Sequence, residues 1–411
     1  MPVGCDIVVC GRCNLFAVMA GLAEQVVTGY LARAGITPGG DRPWDIQVRA
    51  DRFWRRILRG SLGLGESYLD GDWDVESIDA LFRRLIRADL ETSVPAVLNR
   101  ARLWILALIV NPQSRRRSRA VAEQHYDLDH RLYQHFLGPW NQYSCCFFNA
   151  ARTQEEAEVE KLEMVCDKLD LKPDDHLLDI GSGWGGLARY AAETRGCRVT
   201  GINISQEQIA FARDFTAGLP VEILACDYRD LPARFGAGHF DKVVSIGMFE
   251  HVGNRNYRTF LEAVHHVLRD AGLFLLHTIG NNRATRATDP WIERYIFPNS
   301  MLPAMSQIST AMERLFSLQD WENYGHYYAT TLAGWQRRFE KNWPAIRALD
   351  ARKPFDERFR RMFNYYFLSC KAAFDTEFIH LWQIVMSKRG QWRSVYPRVD
   401  LRTGPSPTET A

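Results

Sequence analysis

Several features that would assign this sequence to a common class are missing from it. No apolar run approaches the roughly 18 to 20 residues that span a membrane, and the longest, Leu103 to Val110, is typical of a buried or interfacial helix. The nine cysteines follow no disulfide-scaffold spacing, which favours reduced thiols and a cytoplasmic protein. Residues 14–23 resemble the core of a signal peptide, but Glu24 follows at once, so we do not expect secretion.

Lysine is missing from the first 120 residues, in which 17 arginines give an excess of positive charge. The arginines alternate with apolar residues in "DRFWRRILRG" (51–60) and form a polar run in "SRRRSR" (114–119). Either stretch can meet anionic lipid headgroups, and solvated arginines around an ordinary apolar face explain the pattern equally well. No nucleic-acid-binding motif accompanies the charge, so no such partner is expected. No metal site is predicted from three histidines that share no helical face: His125, His130 and His135.

The first third of the sequence is predicted to be mainly helical. One helix covers residues 14–35, a turn-rich segment covers residues 60–74, and helical periodicity then runs from about Ile78 to Val110. "NPQSRRRSR" follows as a linker, because Pro112 stops a helix and the arginines repel one another. The pattern predicts four segments, namely a smaller helical domain, a linker, a larger domain and a disordered tail: residues 1–110, 111–120, 121–398 and 399–411.

From Thr153 onward, strands and helices alternate. Thr153 and Glu156 form a capping box for an amphipathic helix that Pro173 ends. Short apolar strands then recur, in the order "HLLDIG", "RVTGINIS", "VEILACD", "DKVVSIGMF" and "LFLLHTIG". Such β/α units predict an α/β fold with a mostly parallel, doubly wound sheet and helices on both faces. Ligands of these sheets bind at the carboxyl ends of the strands.

The loop after the first strand carries Gly181, Gly183 and Gly186 at the spacing of the dinucleotide fingerprint. A nicotinamide dinucleotide requires an acidic residue at the end of the second strand, where this sequence has Asn203. A nucleotide-phosphate loop ends in Lys-Ser or Lys-Thr, whereas this loop continues into Leu187. Both ligand classes are therefore disfavoured.

"DIGSGWG" instead resembles the first motif of S-adenosylmethionine-dependent methyltransferases, which implies a Rossmann-like class I methyltransferase domain. In that family an acid before the loop and the glycines within it contact the cofactor. The acid after the third strand, Asp227, lies near the adenine or is a turn residue. Gln208 either reaches the ribose or forms a capping box with Ser205. The implied cofactor-binding residues are Tyr143, Ser144, Asp179, Gly181, Gly183, Trp184, Gly185, Asn203, Gln208, Asp227 and Tyr228.

Further segments resemble the cyclopropane-fatty-acyl-phospholipid synthases. They are "SLGLGESYLDGDW" (61–73), "QYSCCFF" (142–148), "SIGMFEHVG" (245–253), "HTIG" (277–280) and "YIFPN" (295–299). In that family a cis double bond attacks the sulfonium methyl of S-adenosylmethionine, and the resulting carbocation loses a proton as the ring closes. The resemblance therefore implies a dry, aromatic site that holds a weak base.

In this family the base is thought to be a bound bicarbonate ion. Carried over by position, its polar cluster consists of Cys145, Glu250, His277, the backbone of Ile279, and Tyr328. A buried Glu250–His277 pair is expected to orient the imidazole. Cys370 aligns with a cysteine sometimes assigned as the nucleophile, although alkene methylation needs no thiolate and a helical cysteine among aromatic residues is usually part of the core.

The resemblance also implies how the protein meets its substrate. It predicts a homodimer on the inner face of a membrane, with the first domain helping to capture an unsaturated phospholipid from the bilayer. Two other functions stay open: a fatty-acyl methyltransferase that yields a methyl-branched or hydroxylated chain, and a catalytically silent lipid-binding protein. The sequence has every glycine of the cofactor motif and every residue of the polar cluster, which disfavours a catalytically silent protein.

Overall fold

A computed structural model of the protein describes residues 10–88, 130–285, 288–349 and 355–390, with side chains from residue 21 onward. Several predictions lie outside these ranges. They concern the apolar run from Leu103 to Val110, the linker over residues 111–120 with its arginines, His125, and the tail over residues 399–411.

The first region, by which we mean the described residues 10–88, contains four helices and a two-stranded antiparallel sheet. In chain order they are α1 (Cys10–Arg33), β1 (Gln47–Val48), α2 (Arg52–Ile57), α3 (Ser61–Leu69), β2 (Trp73–Asp74) and α4 (Ile78–Arg87). The helix predicted before Gly35 is confirmed as α1. Ser77 begins α4 as its N-cap, because its side chain accepts a hydrogen bond from the backbone N–H of Ala80.

The prediction of a turn-rich segment over residues 60–74 was wrong for its first half, which forms α3. The glycines that suggested turns serve close packing instead. A Cβ atom at Gly63 would lie 1.8 Å from the carbonyl oxygen of Arg56, and one at Gly65 would lie 2.2 Å from Cδ1 of Trp291. Glycine is therefore required here because another element lies against the helix backbone.

The larger region is built on a seven-stranded sheet flanked by helices. Its strands are β3 (His176–Ile180), β4 (Arg198–Asn203), β5 (Val221–Ala225), β6 (Phe240–Ile246), β7 (Leu268–Gly280), β8 (Phe316–Asn323) and β9 (His380–Lys388). Its helices are α5 (His130–Gln134), α6 (Gln154–Lys168), α7 (Gly186–Arg195), α8 (Gln206–Phe215), α9 (Leu231–Phe235), α10 (Tyr257–Val267), α11 (Pro290–Tyr295), α12 (Met305–Met312), α13 (Gly325–Arg347) and α14 (Glu357–Asp375).

The sheet order is β5-β4-β3-β6-β7-β9-β8. Strands β3 to β7 are parallel, whereas β9 runs antiparallel to both β7 and β8. This confirms the predicted α/β class and all five predicted strands. The order reverses direction between β4 and β6, on either side of β3, which is the switch point where such sheets form a ligand crevice. The capping box at the start of α6 is also confirmed, with Thr153 and Glu156 bonded reciprocally.

The first region shares a hydrophobic core with the two helices that lie between β8 and β9 in the chain. Trp73, Tyr68 and Phe53 belong to the same buried cluster as Tyr365 of α14 and Trp335 of α13. The rings of Tyr68 and Tyr365 lie 5.6 Å apart. The residues between 88 and 130 are outside the described part, so the division into two domains stays a prediction.

The arginine-rich stretch 51–60 is largely neutralised. Phe53 and Trp54 are buried, while Arg52 and Arg56 pair with Asp72 at 2.6 and 2.7 Å and Arg59 pairs with Glu66 at 3.3 Å. This favours an ordinary packed helix over a membrane-docking surface at this stretch. Within the described ranges no helix is both long and apolar enough to cross a membrane. Nor does that part of the chain bring together three or more His, Cys, Asp or Glu side chains in a group that could hold a metal ion.

Candidate active site at the carboxyl ends of the parallel strands

The topology brings the predicted site residues to one edge of the sheet. Asp179 lies near the end of β3 and Asn203 at the end of β4, while Asp227 follows β5 directly. Glu250 lies in a short 3-10 helix after β6. His277 is the last residue of β7 that pairs with β6. Since parallel strands end at the same edge, residues far apart in sequence become neighbours there.

The glycine loop between β3 and α7 has three glycines in the left-handed region, with φ of 84° at Gly181, 52° at Gly183 and 83° at Gly185. They serve different purposes. A Cβ atom at Gly181 would lie 2.7 Å from Cβ of Met248, so this glycine allows two segments to pack. A Cβ atom at Gly183 would meet nothing within 4 Å. Gly183 therefore borders open space that an adenosyl cofactor can enter, which fits the predicted role of the loop.

Asn203 supports this loop through its side-chain hydrogen bonds, and its contact with the cofactor stays a prediction. Its Nδ2 donates to the carbonyl oxygen of Gly183 at 3.3 Å and to Oε1 of Gln208 at 2.9 Å. Its Oδ1 accepts the backbone N–H groups of Ile204 and Ser205. The capping box expected at Ser205 is therefore only half present. Ser205 does cap α8, but the side chain of Gln208 bonds to Asn203 instead of the N-cap backbone.

Asp179 is almost fully buried next to the loop. Burial raises the pKa of its carboxyl to about 7, and the nearby ammonium of Lys161 opposes this shift. Lys161 is itself fully buried on α6, and burial lowers its pKa. Since an uncompensated buried charge is costly, the two groups depend on each other to stay ionised. A cationic sulfonium bound next to the loop would further favour the charged form of Asp179.

Lys161 is a functional candidate that the sequence analysis missed. Its Nζ donates to Oε1 of Gln142 and, at 3.2 Å, to Oγ of Ser144. These residues flank Tyr143, so the ammonium fixes the segment in which two of the predicted cofactor contacts lie. The signal available in the sequence was that the first lysine of the chain sits in the helix directly before the glycine-loop strand.

The remaining predicted cofactor residues occupy defined positions. Asp227 caps the 3-10 helix Tyr228–Asp230 through the backbone N–H of Arg229, and it pairs with the Arg229 guanidinium at 2.9 Å. The turn role considered for Asp227 is thus present, and its contact with adenine stays a prediction. Tyr228 packs edge-on against Phe260. Trp184 is buried, with its ring 5.3 Å from that of Phe211.

Glu250 and His277 present the most distinctive feature of the site. Oε1 of Glu250 accepts the backbone N–H of Ile279 at 2.6 Å, whereas its Oε2 is buried without a hydrogen-bond partner. Nε2 of His277 is likewise buried without a partner. Buried polar atoms are nearly always hydrogen-bonded in folded proteins. These two atoms, at the ligand edge of the sheet, are candidate contacts for a small polar ligand.

Glu250 was expected to orient His277, but among the described residues the side-chain hydrogen bonds of the two go to other partners. The partner of His277 is Gln383 of β9, whose Nε2 lies 3.2 Å from Nδ1 of the imidazole. This contact arises because β9 inserts beside β7 and brings a buried amide opposite the histidine. Burial lowers the pKa of His277 to about 3 and raises the pKa of Glu250 to about 7. The imidazole is therefore neutral at physiological pH.

Two further members of the predicted cluster, Tyr328 and Cys145, are buried. Burial raises the pKa of the Tyr328 hydroxyl well above its ordinary value, and its ring stacks on Phe374 at 4.7 Å. Burial likewise raises the pKa of Cys145, whose Sγ lies 3.0 Å from the carbonyl oxygen of Cys146. Both groups are thus protonated and neutral, and the tyrosine can donate a hydrogen bond.

Cys370 lies on α14 and is partly buried. Burial raises the pKa of its thiol to about 12. A thiol with such a pKa carries almost no thiolate at neutral pH, and the thiolate is the nucleophile. This argues against the nucleophilic role that the resemblance raised for Cys370.

Aromatic rings fill the space between the cofactor segment and the polar cluster. Trp335 links the two, with its ring 5.2 Å from Tyr143 and 6.0 Å from Tyr328. The hydroxyls of Tyr143 and Tyr366 lie 3.2 Å apart, and Tyr366 lies 5.7 Å from Phe297. The family resemblance implied an aromatic site, but Trp335 and Tyr366 were not predicted to be part of it, because their helices are distant in the chain from the motifs.

Comparison with known proteins gives consistent matches. A family model described as mycolic acid cyclopropane synthetase matches residues 113–384. The cyclopropane-fatty-acyl-phospholipid synthase of Escherichia coli strain K12 is 44% identical over 365 residues, which are 89% of this chain and 93% of that protein. The tuberculostearic acid methyltransferase UfaA1 of Mycobacterium tuberculosis is 31% identical, with 83% of this chain and 82% of that protein covered.

Solved structures agree with this similarity. The mycolic acid cyclopropane synthase CmaA1, in its complex with SAH and CTAB, superposes with a TM-score of 0.58 at 27% identity. The match covers 66% of this chain and 98% of that structure.

Proposed function

The chain belongs to the cyclopropane synthase family, and we infer that it uses S-adenosylmethionine to convert the cis double bond of an unsaturated acyl chain into a cyclopropane ring. The protein is thus an enzyme of the methyltransferase class. The observation that carries this into the present structure is the pair of unpartnered buried atoms, Oε2 of Glu250 and Nε2 of His277, at the edge where the glycine loop opens.

The residues around the loop suit the cofactor. Gly183 borders open space, Asp179 supplies a buried carboxyl, and Lys161 holds the segment that contains Tyr143 and Ser144. When bound, S-adenosylmethionine supplies an electrophilic methyl group. The chain contributes the alignment of that group with the acyl chain and the exclusion of water from it.

We propose that a bicarbonate ion is the base, held by Glu250, His277 and Tyr328. The unpartnered Nε2 of the neutral imidazole and the protonated hydroxyl of Tyr328 can both donate to an anion, and Oε2 of Glu250 can accept the O–H of bicarbonate. The backbone N–H of Ile279 is already bonded to Glu250, so it positions this carboxyl instead of binding the anion. When bound, bicarbonate supplies a weak base at a site that excludes water.

The aromatic wall suits a reaction that develops positive charge on an acyl chain. The ring faces of Trp335, Tyr143 and Tyr366 carry the negative side of the aromatic quadrupole. Such faces can stabilise a carbocation without acting as nucleophiles toward it. The thiols nearby are protonated, since burial raises the pKa of both Cys145 and Cys146. The chain thereby limits capture of a carbocation by its own side chains.

We propose that the acyl chain is part of a phospholipid in a bilayer, which the protein approaches peripherally from the cytoplasmic side, and that the protein is a homodimer. Two exposed apolar residues of α1 support a lipid-facing surface: Leu22 and Val26. Binding to anionic vesicles is expected to weaken as salt rises, because screening shortens the reach of exposed charge. Salt-independent binding, or equal binding to neutral vesicles, would argue against electrostatic docking. Sedimentation analysis tests the dimer.

Product analysis tests the proposed reaction. Vesicles of an unsaturated phospholipid are incubated with the protein and S-adenosylmethionine, and the released acyl chains are analysed by mass spectrometry. Ring formation predicts a gain of one CH₂ with the same count of rings plus double bonds. A saturated methyl branch gains CH₄, and a hydroxylated product gains CH₂ together with water. An unchanged acyl chain would contradict the proposal.

A further inference from the structure

A buried amide faces the imidazole of the polar cluster from the neighbouring strand. Gln383 of β9 pairs directly with His277 of β7 in the antiparallel ladder. Both side chains are buried, with exposed fractions of 0% and 2%. Opposite residues in such a ladder project to the same face of the sheet, which brings Nε2 of Gln383 to 3.2 Å from Nδ1 of His277. Among the described residues Oε1 of Gln383 has no partner. The contact of Nε2 with His277 is therefore the one that orients this amide.

This contact determines which ring nitrogen carries the proton. Burial keeps His277 neutral, and a neutral imidazole has one donor and one acceptor nitrogen. The structure places the amide Nε2 of Gln383 against Nδ1, and an N–H that donates there makes Nδ1 the acceptor and leaves the proton on Nε2. Nε2 is the nitrogen that is buried without a partner among the described residues.

We propose that Gln383 is a positioning residue that holds His277 in the tautomer with its proton on Nε2, so that His277 donates a hydrogen bond to the anion bound in the cluster. This inference rests on the proposed function. It adds a specific consequence: a neutral Nε2–H cannot accept a proton at that nitrogen. The imidazole therefore serves as a fixed donor, and the proton released by the acyl chain must be taken by another base.

A glutamine suits this role where a carboxylate does not. A carboxylate at position 383 would accept from Nδ1, move the proton to that nitrogen, and leave a lone pair on Nε2 that repels a bound anion. It would also favour the imidazolium form. The substitution Gln383→Glu therefore reverses the polarity of the contact with little change of shape, and Gln383→Leu removes the contact.

The tautomer can be observed without any variant. The protein is labelled with ¹⁵N in its histidine rings, and two-dimensional ¹H–¹⁵N correlation spectra are recorded, with the His277 signals assigned by their loss in His277→Asn. The expected wild-type pattern is that of a neutral ring protonated on Nε2. A wild-type ring protonated on Nδ1, or a charged ring at neutral pH, would overturn the proposal whether or not the variants fold.

The variants connect the tautomer to function. In Gln383→Leu we expect the bicarbonate concentration for half-maximal activity to rise by about 10-fold, the size of effect that the loss of one hydrogen bond produces. Gln383→Glu should shift the ring to the Nδ1-protonated or charged form. The affinity for S-adenosylmethionine, measured by calorimetry, should change less than about twofold in both variants.

A matched control exists on the neighbouring strand. Gln319 of β8 makes a single side-chain hydrogen bond to Ser387 of β9, so Gln319→Leu also removes one amide from this part of the sheet. It should leave the His277 tautomer and the bicarbonate response unchanged. Unaltered tautomer and bicarbonate response in Gln383→Glu would refute the positioning role. Failure of the proposed function looks different: the wild type would then form no ring product, while its His277 spectrum still reports the tautomer.

Discussion

Replacing Glu250 by glutamine perturbs the polar cluster with little change of shape. The bond that Oε1 accepts from the backbone N–H of Ile279 can be kept by the amide oxygen. The change falls on Oε2, which has no protein partner and which we assign to the bound anion. An amide NH₂ at this position can no longer accept the O–H of bicarbonate.

The size of the effect follows from the bond that is lost. A hydrogen bond that involves a charged group contributes about 1.5 to 3 kcal/mol, and each factor of ten in rate corresponds to about 1.4 kcal/mol. Glu250→Gln should therefore lower the turnover rate by roughly 10²-fold, in line with the loss of a component of general-base catalysis. The affinity for S-adenosylmethionine should change little, since the glycine loop and Asp179 are untouched.

The same variant has a second, independent effect on stability. The pKa of Glu250 in the folded protein, about 7, lies above its ordinary value of 4.5 because the carboxyl is buried. Its contribution to stability is full at low pH and is lost as the pH rises through about 7. Between about pH 5 and pH 8 the free energy of unfolding of the wild type should fall by about 2 to 3 kcal/mol more than that of Glu250→Gln.

Both effects are measured on one pair of proteins. Initial rates of ring formation on phospholipid vesicles give the turnover numbers, calorimetry gives the cofactor affinity, and denaturant titrations at several pH values give the stabilities. His251→Gln, a change at the adjacent residue, controls for local disturbance of the 3-10 helix. Full turnover in Glu250→Gln, together with a pH dependence of stability equal to that of the wild type, would refute this reasoning.

Three further predictions concern the surroundings of the cluster. Gly183→Val should abolish S-adenosylmethionine binding in calorimetry without unfolding the protein, because its side chain would enter the open space next to the loop. Asp179→Ala should do the same by removing the buried carboxyl. Unchanged affinity in both variants would contradict the assignment of the cofactor site. Lys161→Met should weaken S-adenosylmethionine binding at least about 10-fold, because two hydrogen bonds to the segment around Ser144 are lost. Lys168 is a buried lysine of the same helix that bonds to Glu322, and Lys168→Met should affect stability alone. Equal cofactor affinities in the two variants would contradict this prediction. Gly65→Ala should lower the free energy of unfolding by about 1 to 3 kcal/mol, because the added Cβ clashes with Trp291. At Gly29 in α1 a Cβ meets nothing within 4 Å, so Gly29→Ala should be neutral or stabilising by up to about 1 kcal/mol.

The parts of the site that sequence alone predicted are those fixed by the β/α repeat. The glycine loop, Glu250 and His277 each follow a strand that periodicity identifies, and parallel strands bring their carboxyl ends together. The loop at Gly183 and the alternation of strands and helices therefore sufficed to predict the fold class and the edge that carries the ligands.

The parts that sequence missed depend on packing between distant segments. Gln383 contacts His277 only because β9 inserts between β7 and β8, an order that local patterns do not encode. Lys161 meets Ser144 because α6 turns one face toward the cofactor segment. Gly65 suggested a turn, yet it lies in a helix against Trp291, because a glycine needed for close approach has the same local signature as one needed for a turn.

The most direct test of the account is the bicarbonate dependence of ring formation. Wild-type protein is assayed in buffer freed of carbon dioxide and then with bicarbonate added back, alongside Tyr328→Phe and its matched neighbour Tyr327→Phe. The account predicts that depletion slows the wild type and Tyr327→Phe, that added bicarbonate restores both, and that Tyr328→Phe is slow but partly rescued by excess bicarbonate. Equal rates with and without bicarbonate, in all three proteins, would show that the cluster of Glu250, His277 and Tyr328 does not hold the base.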